Sequence, residues 1–149
     1  MRAIVMCVLV AGCVDNGAWN LPAKLTPAGP ATFGDAVSEA AAAWNAALAG
    51  CAKPFVMATD GHAVELVPAA IWTDGSDHGA WENSERIEIE DLGIEAWWEP
   101  AALHELGHAM GLDHVDPAVD PLSVMKPLLG TLRAPSAGDT QRARALLGC

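Results

Sequence analysis

The chain has 149 residues and a mass of 15.5 kDa, room for one domain with a modest core. Hydrophobic residues make up 52% of it, which excludes a disordered chain. A net charge of -11 argues against a nucleic-acid partner and against adsorption to anionic lipid, and leaves a weak preference for basic substrates.

In chain order, Met1-Arg2 is followed by an apolar run over residues 3–11 and then by Gly12-Cys13, the order of a secretory signal. The four residues Val10-Ala11-Gly12-Cys13 resemble a bacterial lipobox, which implies acylation of Cys13 and a lipid anchor as the one link to a membrane. The run is too short to span a bilayer, and its plain alternative is a buried first strand. The expected organisation is therefore a lipoprotein signal peptide over 1–13, a tether over 14–20 and one folded domain over 21–149. The protein is expected to be exported, either secreted or held at the bacterial envelope.

A first strand is expected near Ala23-Lys24-Leu25, after a stretch rich in Pro, Gly and Asn. Thr32 and Asp35 read as the capping box of a helix in which Phe33, Val37, Ala40, Ala41, Trp44, Ala47 and Leu48 recur at helical spacing. Trp44 reads as packing. Short strands are expected over 54–58, 63–67, 70–73 and 86–90, the last alternating strictly between apolar and acidic residues. Asp74, Asp77, Glu82 and Glu85 offer carboxylates for calcium, although a solvated acidic loop is the simpler reading. His62 and His78 read as surface histidines rather than metal ligands. Trp97-Trp98 reads as an apolar lead-in to the next helix, with a substrate shelf as its alternative. Pro100 is placed to open that helix, over 100–110, with Ala102, Leu106, Ala109 and Met110 facing the core. Residues 115–135 are expected to be irregular. Ser136 and Asp139 then cap a final helix ending at Leu147, with Arg142 and Arg144 near the negative end of its dipole.

The chemistry is concentrated in His104-Glu105-Leu106-Gly107-His108-Ala109-Met110-Gly111-Leu112-Asp113-His114. His104 and His108, four apart, share one helix face and can grip one ion. Gly111 turns easily into the left-handed conformation, ends the helix and returns His114 as a third ligand. Three neutral nitrogens and an open fourth position describe a catalytic zinc site, and Glu105 stands beside the metal without binding it. A structural metal site leaves both Glu105 and the open position unexplained.

This H-E-x-x-H-x-x-G-x-x-H run is the metzincin signature, and Ser123-Val124-Met125-Lys126-Pro127 resembles the clan's Met-turn. Within the clan, Gly111-Leu112-Asp113-His114 and the Ser-x-Met-x-Pro turn most resemble matrixins. Val115 and Lys126 depart from them, standing where serine and an aromatic are usual. The likeness runs loosely over 21–149 and is motif-grade over 103–127.

The resemblance implies an α+β, metzincin-like zincin: a twisted mixed sheet with two long helices above, and a small irregular lower subdomain ending in a C-terminal helix. It implies Zn2+ on His104, His108 and His114. It also implies hydrolysis of peptide bonds through a metal-bound water, with Glu105 as general base and Met125 as an apolar floor. The tyrosine some metzincins place near the Met-turn is absent, since the chain has none. Substrate is expected to lie extended along a strand edge near His78-Gly79-Ala80-Trp81-Glu82, with residues 127–131 walling the pocket beyond the scissile bond. If Cys7 is cleaved away and Cys13 acylated, Cys51 and Cys149 remain, and astacins, another metzincin branch, join corresponding regions by a disulfide. The alternative is two buried thiols. The expected protein is a monomeric zinc metalloendopeptidase acting on peptides or proteins, without a cysteine-switch propeptide. The rival readings are a zinc-containing peptide-binding module with little turnover and a zinc amidase on a non-protein amide.

Overall fold

The computed structural model describes residues 8–9, 18–51, 53–68, 80–82 and 85–149. In chain order they form β1 (Val8–Leu9), β2 (Ala23–Ala28), α1 (Ala31–Ala47), β3 (Phe55–Met57), β4 (His62–Pro68), β5 (Ala80–Glu82) and β6 (Arg86–Asp91). A 3₁₀ turn (Glu95–Trp97) then runs straight into α2 (Trp98–Ala109), and β7 (Leu128–Leu129) and α3 (Ala137–Leu147) follow. No helix among these residues is long and apolar enough to cross a membrane.

The main sheet has the order β3-β2-β4-β6-β5. Its first four strands are parallel, with Leu25 opposite His62 and Val64 opposite Ile87, whereas β5 is an antiparallel edge strand. The fold is thus α+β with a mixed sheet. Both α1 and α2 pack on the sheet and on each other, and Leu25, Val64, Ile87 and Ile89 are closed off from solvent together with Phe33, Val37, Ala40 and Trp44. Two directional contacts lock α1 to α2. The Trp44 indole N–H donates to the Leu103 carbonyl at 2.8 Å, and Phe33 meets Trp98 edge to face at 5.7 Å.

Several local expectations are corrected. The cap of α1 is Pro30, not a box of Thr32 and Asp35, both of which are exposed inside the helix. Proline fixes a helix-compatible φ and its carbonyl accepts from Phe33 and Gly34, so the helix starts without a side-chain cap. In β6 the alternation fails at Glu88, which is 8% exposed because β4 and β5 flank the strand and Arg86 Nη2 pairs with it at 2.6 Å. Helix α2 starts at Trp98 rather than Pro100, and Trp97 and Trp98 are buried as the lead-in reading requires. The irregular stretch 115–135 contains one short strand, β7, paired antiparallel with β1.

The pairing of β1 gives strand structure to two residues of the segment read as a leader. Trp19, read as tether, is also buried, its N–H donating to Ala109 O at 2.8 Å. Cys7, Cys13, His78, Asp74, Asp77 and the expected strand over 70–73 lie outside the described residues.

Cys51 and Cys149 form a disulfide, with Cα atoms 5.7 Å apart, joining the end of α1 to the end of α3 across 98 residues of chain. A loop of that length loses considerable freedom in the unfolded state. Replacing both cysteines by alanine is expected to lower unfolding free energy by about 2–5 kcal/mol, measured by urea titration under oxidising conditions.

Candidate metal centre

Helix α2 is buried on nearly every side, because it lies between α1, the sheet and the segment that follows it. His104 and Glu105 are fully buried on it and His108 is half-buried, one turn further on. The helix ends at Met110, and Gly111 takes φ 91°. Its N–H donates to His108 O at 2.7 Å, and the N–H of Leu112 donates to Gly107 O at 3.0 Å. This paired closure is a Schellman motif and needs a left-handed residue at Gly111. A Cβ there would also stand 3.1 Å from Ala18 Cβ, a tight contact.

The turn returns His114 to the other two histidines. Their Nε2 atoms form a triangle, with 3.0 Å between His104 and His108 and 3.2 Å from His114 to each. Among the described residues this is the one group of three potential ligands. An ion held tetrahedrally at about 2.0–2.1 Å from each nitrogen separates the nitrogens by roughly 3.3 Å. The triangle has that size.

The protons on two of the rings are placed by backbone carbonyls. His104 Nδ1 lies 2.7 Å from Val124 O, and His108 Nδ1 lies 2.7 Å from Leu112 O. A carbonyl oxygen accepts only, so each Nδ1 carries a proton and each neutral ring presents a bare Nε2 lone pair. Lone pairs facing one another at 3 Å repel unless a cation lies between them. The donor set therefore fits a metal ion, and its chemistry, three imidazoles without thiolates, suits zinc.

Burial also holds these rings neutral. Desolvation, reinforced by the neighbouring His108, pushes the His104 pKa well below 6.5, against the opposing Val124 hydrogen bond. Desolvation likewise lowers His114, against the pull of Asp113. Neutral imidazole is the form that binds metal.

Met125 is fully buried against α2, and Val115 N–H donates to its carbonyl at 2.8 Å, tying the residue after His114 to the Ser123–Met125 turn. Met125 reaches α2 because residue 107 has no side chain. A Cβ at Gly107 would strike Met125 Sδ and stand 3.3 Å from Trp44 Cζ2. Sequence reading passed over Gly107; a glycine inside a buried helix between two ligands was the available signal.

The remaining expected residues are placed as follows. Ala80–Glu82 form the β5 edge beside α2, and the wall segment holds β7, near the same helix. Just beyond that segment Arg133 pairs with Glu99 in the first turn of α2. His62 stacks on Trp19, ring centroids 4.0 Å apart, away from the histidine triangle. Arg142 does not serve the dipole of α3; it bonds Asp139 and lies 3.8 Å from Asp120. Arg144 donates to Ala49 O at 2.9 Å. Asp139 caps α3 with Ser136 as expected, and it also accepts from Ser123 Oγ and Val124 N, which sequence reading missed.

The structure is similar to two solved structures of myroilysin. One aligns with TM-score 0.59 at 14% identity over 95% of both chains. The other aligns with TM-score 0.58 at 14% identity over 87% of this chain and 81% of that one. The likeness establishes a common fold. No family model matches the chain, and no curated protein matches it in sequence.

Two outcomes are expected. Gly107→Ala forces Met125 off its seat, lowering stability by about 1–3 kcal/mol in chemical denaturation and weakening zinc binding in a chelator competition. For the metal-free protein, the depressed histidines bind fewer protons folded than unfolded as pH falls below 6.5. Stability is therefore complete above that pH and declines below it. Urea midpoints between pH 7.5 and 5.0 measure the decline, and His104→Ala should flatten it.

Proposed function

We propose that this chain is a zinc-dependent endopeptidase of the metzincin clan, matrixin-like in its motif. The observation that carries the reading is the triangle of Nε2 atoms 3.0–3.2 Å apart, with the His104 and His108 corners left proton-free by their Nδ1 bonds to carbonyls. The fold shared with myroilysin supports it. His104, His108 and His114 hold the zinc. The chemistry zinc supplies when bound is Lewis acidity toward a carbonyl oxygen and acidification of water.

Glu105 follows His104 on α2, and we assign it the proton traffic: its carboxylate takes a proton from the attacking water and delivers it to the leaving amine. It is fully buried on the helix that carries His104 and His108. The backbone edge of β5 and the segment carrying β7 flank α2. An extended substrate pairs with such an edge through main-chain hydrogen bonds, while the opposite segment selects the side chain beyond the cut. Export belongs to the same reading: a leader over 1–13, Cys13 as lipid anchor, and a monomeric domain facing peptide or protein substrates. The disulfide agrees with an oxidising compartment.

The test is digestion of a diverse peptide library by the zinc-loaded protein, with and without chelator. Cleavage is expected, abolished by chelation and restored by zinc. Glu105→Gln should lower turnover by about 10²–10⁴-fold with zinc content unchanged. Tight peptide binding without cleavage would favour the binding module, and hydrolysis confined to non-protein amides would favour the amidase.

A further inference from the structure

Asp139 is a charged side chain with no exposure to solvent, and a helix cap does not require that. Its two oxygens receive four donors. Oδ1 accepts from Ser123 Oγ at 2.5 Å and from Arg142 Nη2 at 2.5 Å; Oδ2 accepts from Val124 N at 2.8 Å and from Ser136 N at 2.9 Å. Only the bond from Ser136 completes the cap. Two of the others come from the turn that carries Met125.

Followed away from Asp139, the bonds form one continuous relay. Ser123 Oγ, which donates to Asp139, accepts from Met125 N at 2.9 Å. The same peptide unit presents the Val124 carbonyl on its other side, and that oxygen accepts from His104 Nδ1 at 2.7 Å. Every donor in the series points toward the carboxylate. Bonds aligned in one sense polarise one another, more strongly in a site shielded from water. His104, Ser123, Met125 and Asp139 are all fully buried.

We propose that Asp139 is a positioning residue for the metal centre, orienting His104 and increasing the electron density at its Nε2 through the Val124–Met125 peptide and the Ser123 hydroxyl. Metal-binding histidines commonly give their second N–H to a carboxylate or carbonyl, and such partners raise ligand basicity. Here the carboxylate works at a distance, through a peptide and a serine. The inference rests on the reading of His104 as a metal ligand, but not on any substrate.

The test compares Asp139→Asn, Ser123→Ala and Ser136→Ala with wild type, using two readouts that need no turnover. Ser123→Ala cuts the relay while leaving the charge and the α3 cap, and serves if Asp139→Asn does not fold. Ser136→Ala weakens the cap and removes the Ser136 Oγ bond to Asp120 at 2.6 Å, but leaves every bond of the relay in place. The first readout is the position of the His104 Hδ1 proton resonance in the metal-free protein. The second is the dissociation constant for Co2+ from its visible absorption. Asp139→Asn and Ser123→Ala should move the resonance upfield and weaken Co2+ binding by about 10–100-fold, with Ser136→Ala near wild type in both. Unchanged resonance and affinity in the first two variants overturn the inference and leave the metal site standing, as does an equal loss in Ser136→Ala. If wild type itself binds no Co2+, the metal reading fails and the inference with it.

Discussion

Two carbonyl oxygens, those of Val124 and Leu112, hold the tautomers of His104 and His108. The fit of the histidine cluster to a metal ion depends on that assignment. An imidazole free to choose its tautomer would turn a proton toward its neighbours and settle into an ordinary hydrogen bond between rings. With Nδ1 committed to a carbonyl, the ring has only a lone pair to offer, and the three rings converge on a point that calls for positive charge. Leu112 O reaches its place because Gly111 reverses the chain, and Val124 O because the Ser123–Met125 turn is pinned to α3. The three histidines lie on one short stretch of sequence, but the tautomer of His104 is decided by a turn outside it.

The same constraint explains the packing of α2. A helix bearing two histidines and a glutamate would ordinarily keep a wet face. Here it is enclosed by α1, the sheet and the Met125 turn, and only His108 among residues 98–109 is partly open. Burial favours neutral imidazoles and stiffens the ring positions. Gly107 is the concession that lets Met125 approach this closely.

Much of this was legible in the sequence, for physical reasons that differ by residue. The i, i+4 spacing of His104 and His108 is local geometry, and Gly111 announces a left-handed turn without knowledge of the fold. The core face of α1 was legible from its 3.6-residue period, and the Ser136–Asp139 box from short-range capping chemistry. What was not legible depended on neighbours distant in sequence. Glu88 is buried only because strands lie on both sides of β6. Arg142 turns to Asp139 rather than to the helix end because Asp139 is buried and charged. The relay from Asp139 to His104 spans 35 positions and passes through main-chain atoms, which carry no residue identity for sequence reading to detect.

The exposed bend between α2 and β7 carries Val119 and Leu122, 77% and 65% open to solvent. It is the sort of apolar, reachable stretch that a protease cuts. The bond between Cys51 and Cys149 straddles that bend. A severed chain would therefore remain one covalent body, with α3 leashed to the end of α1 at high local concentration and Asp139 still able to reseat against the turn. Nicking and dismemberment are separate events in this molecule: scission alone leaves it whole, and only a reductant lets the pieces part.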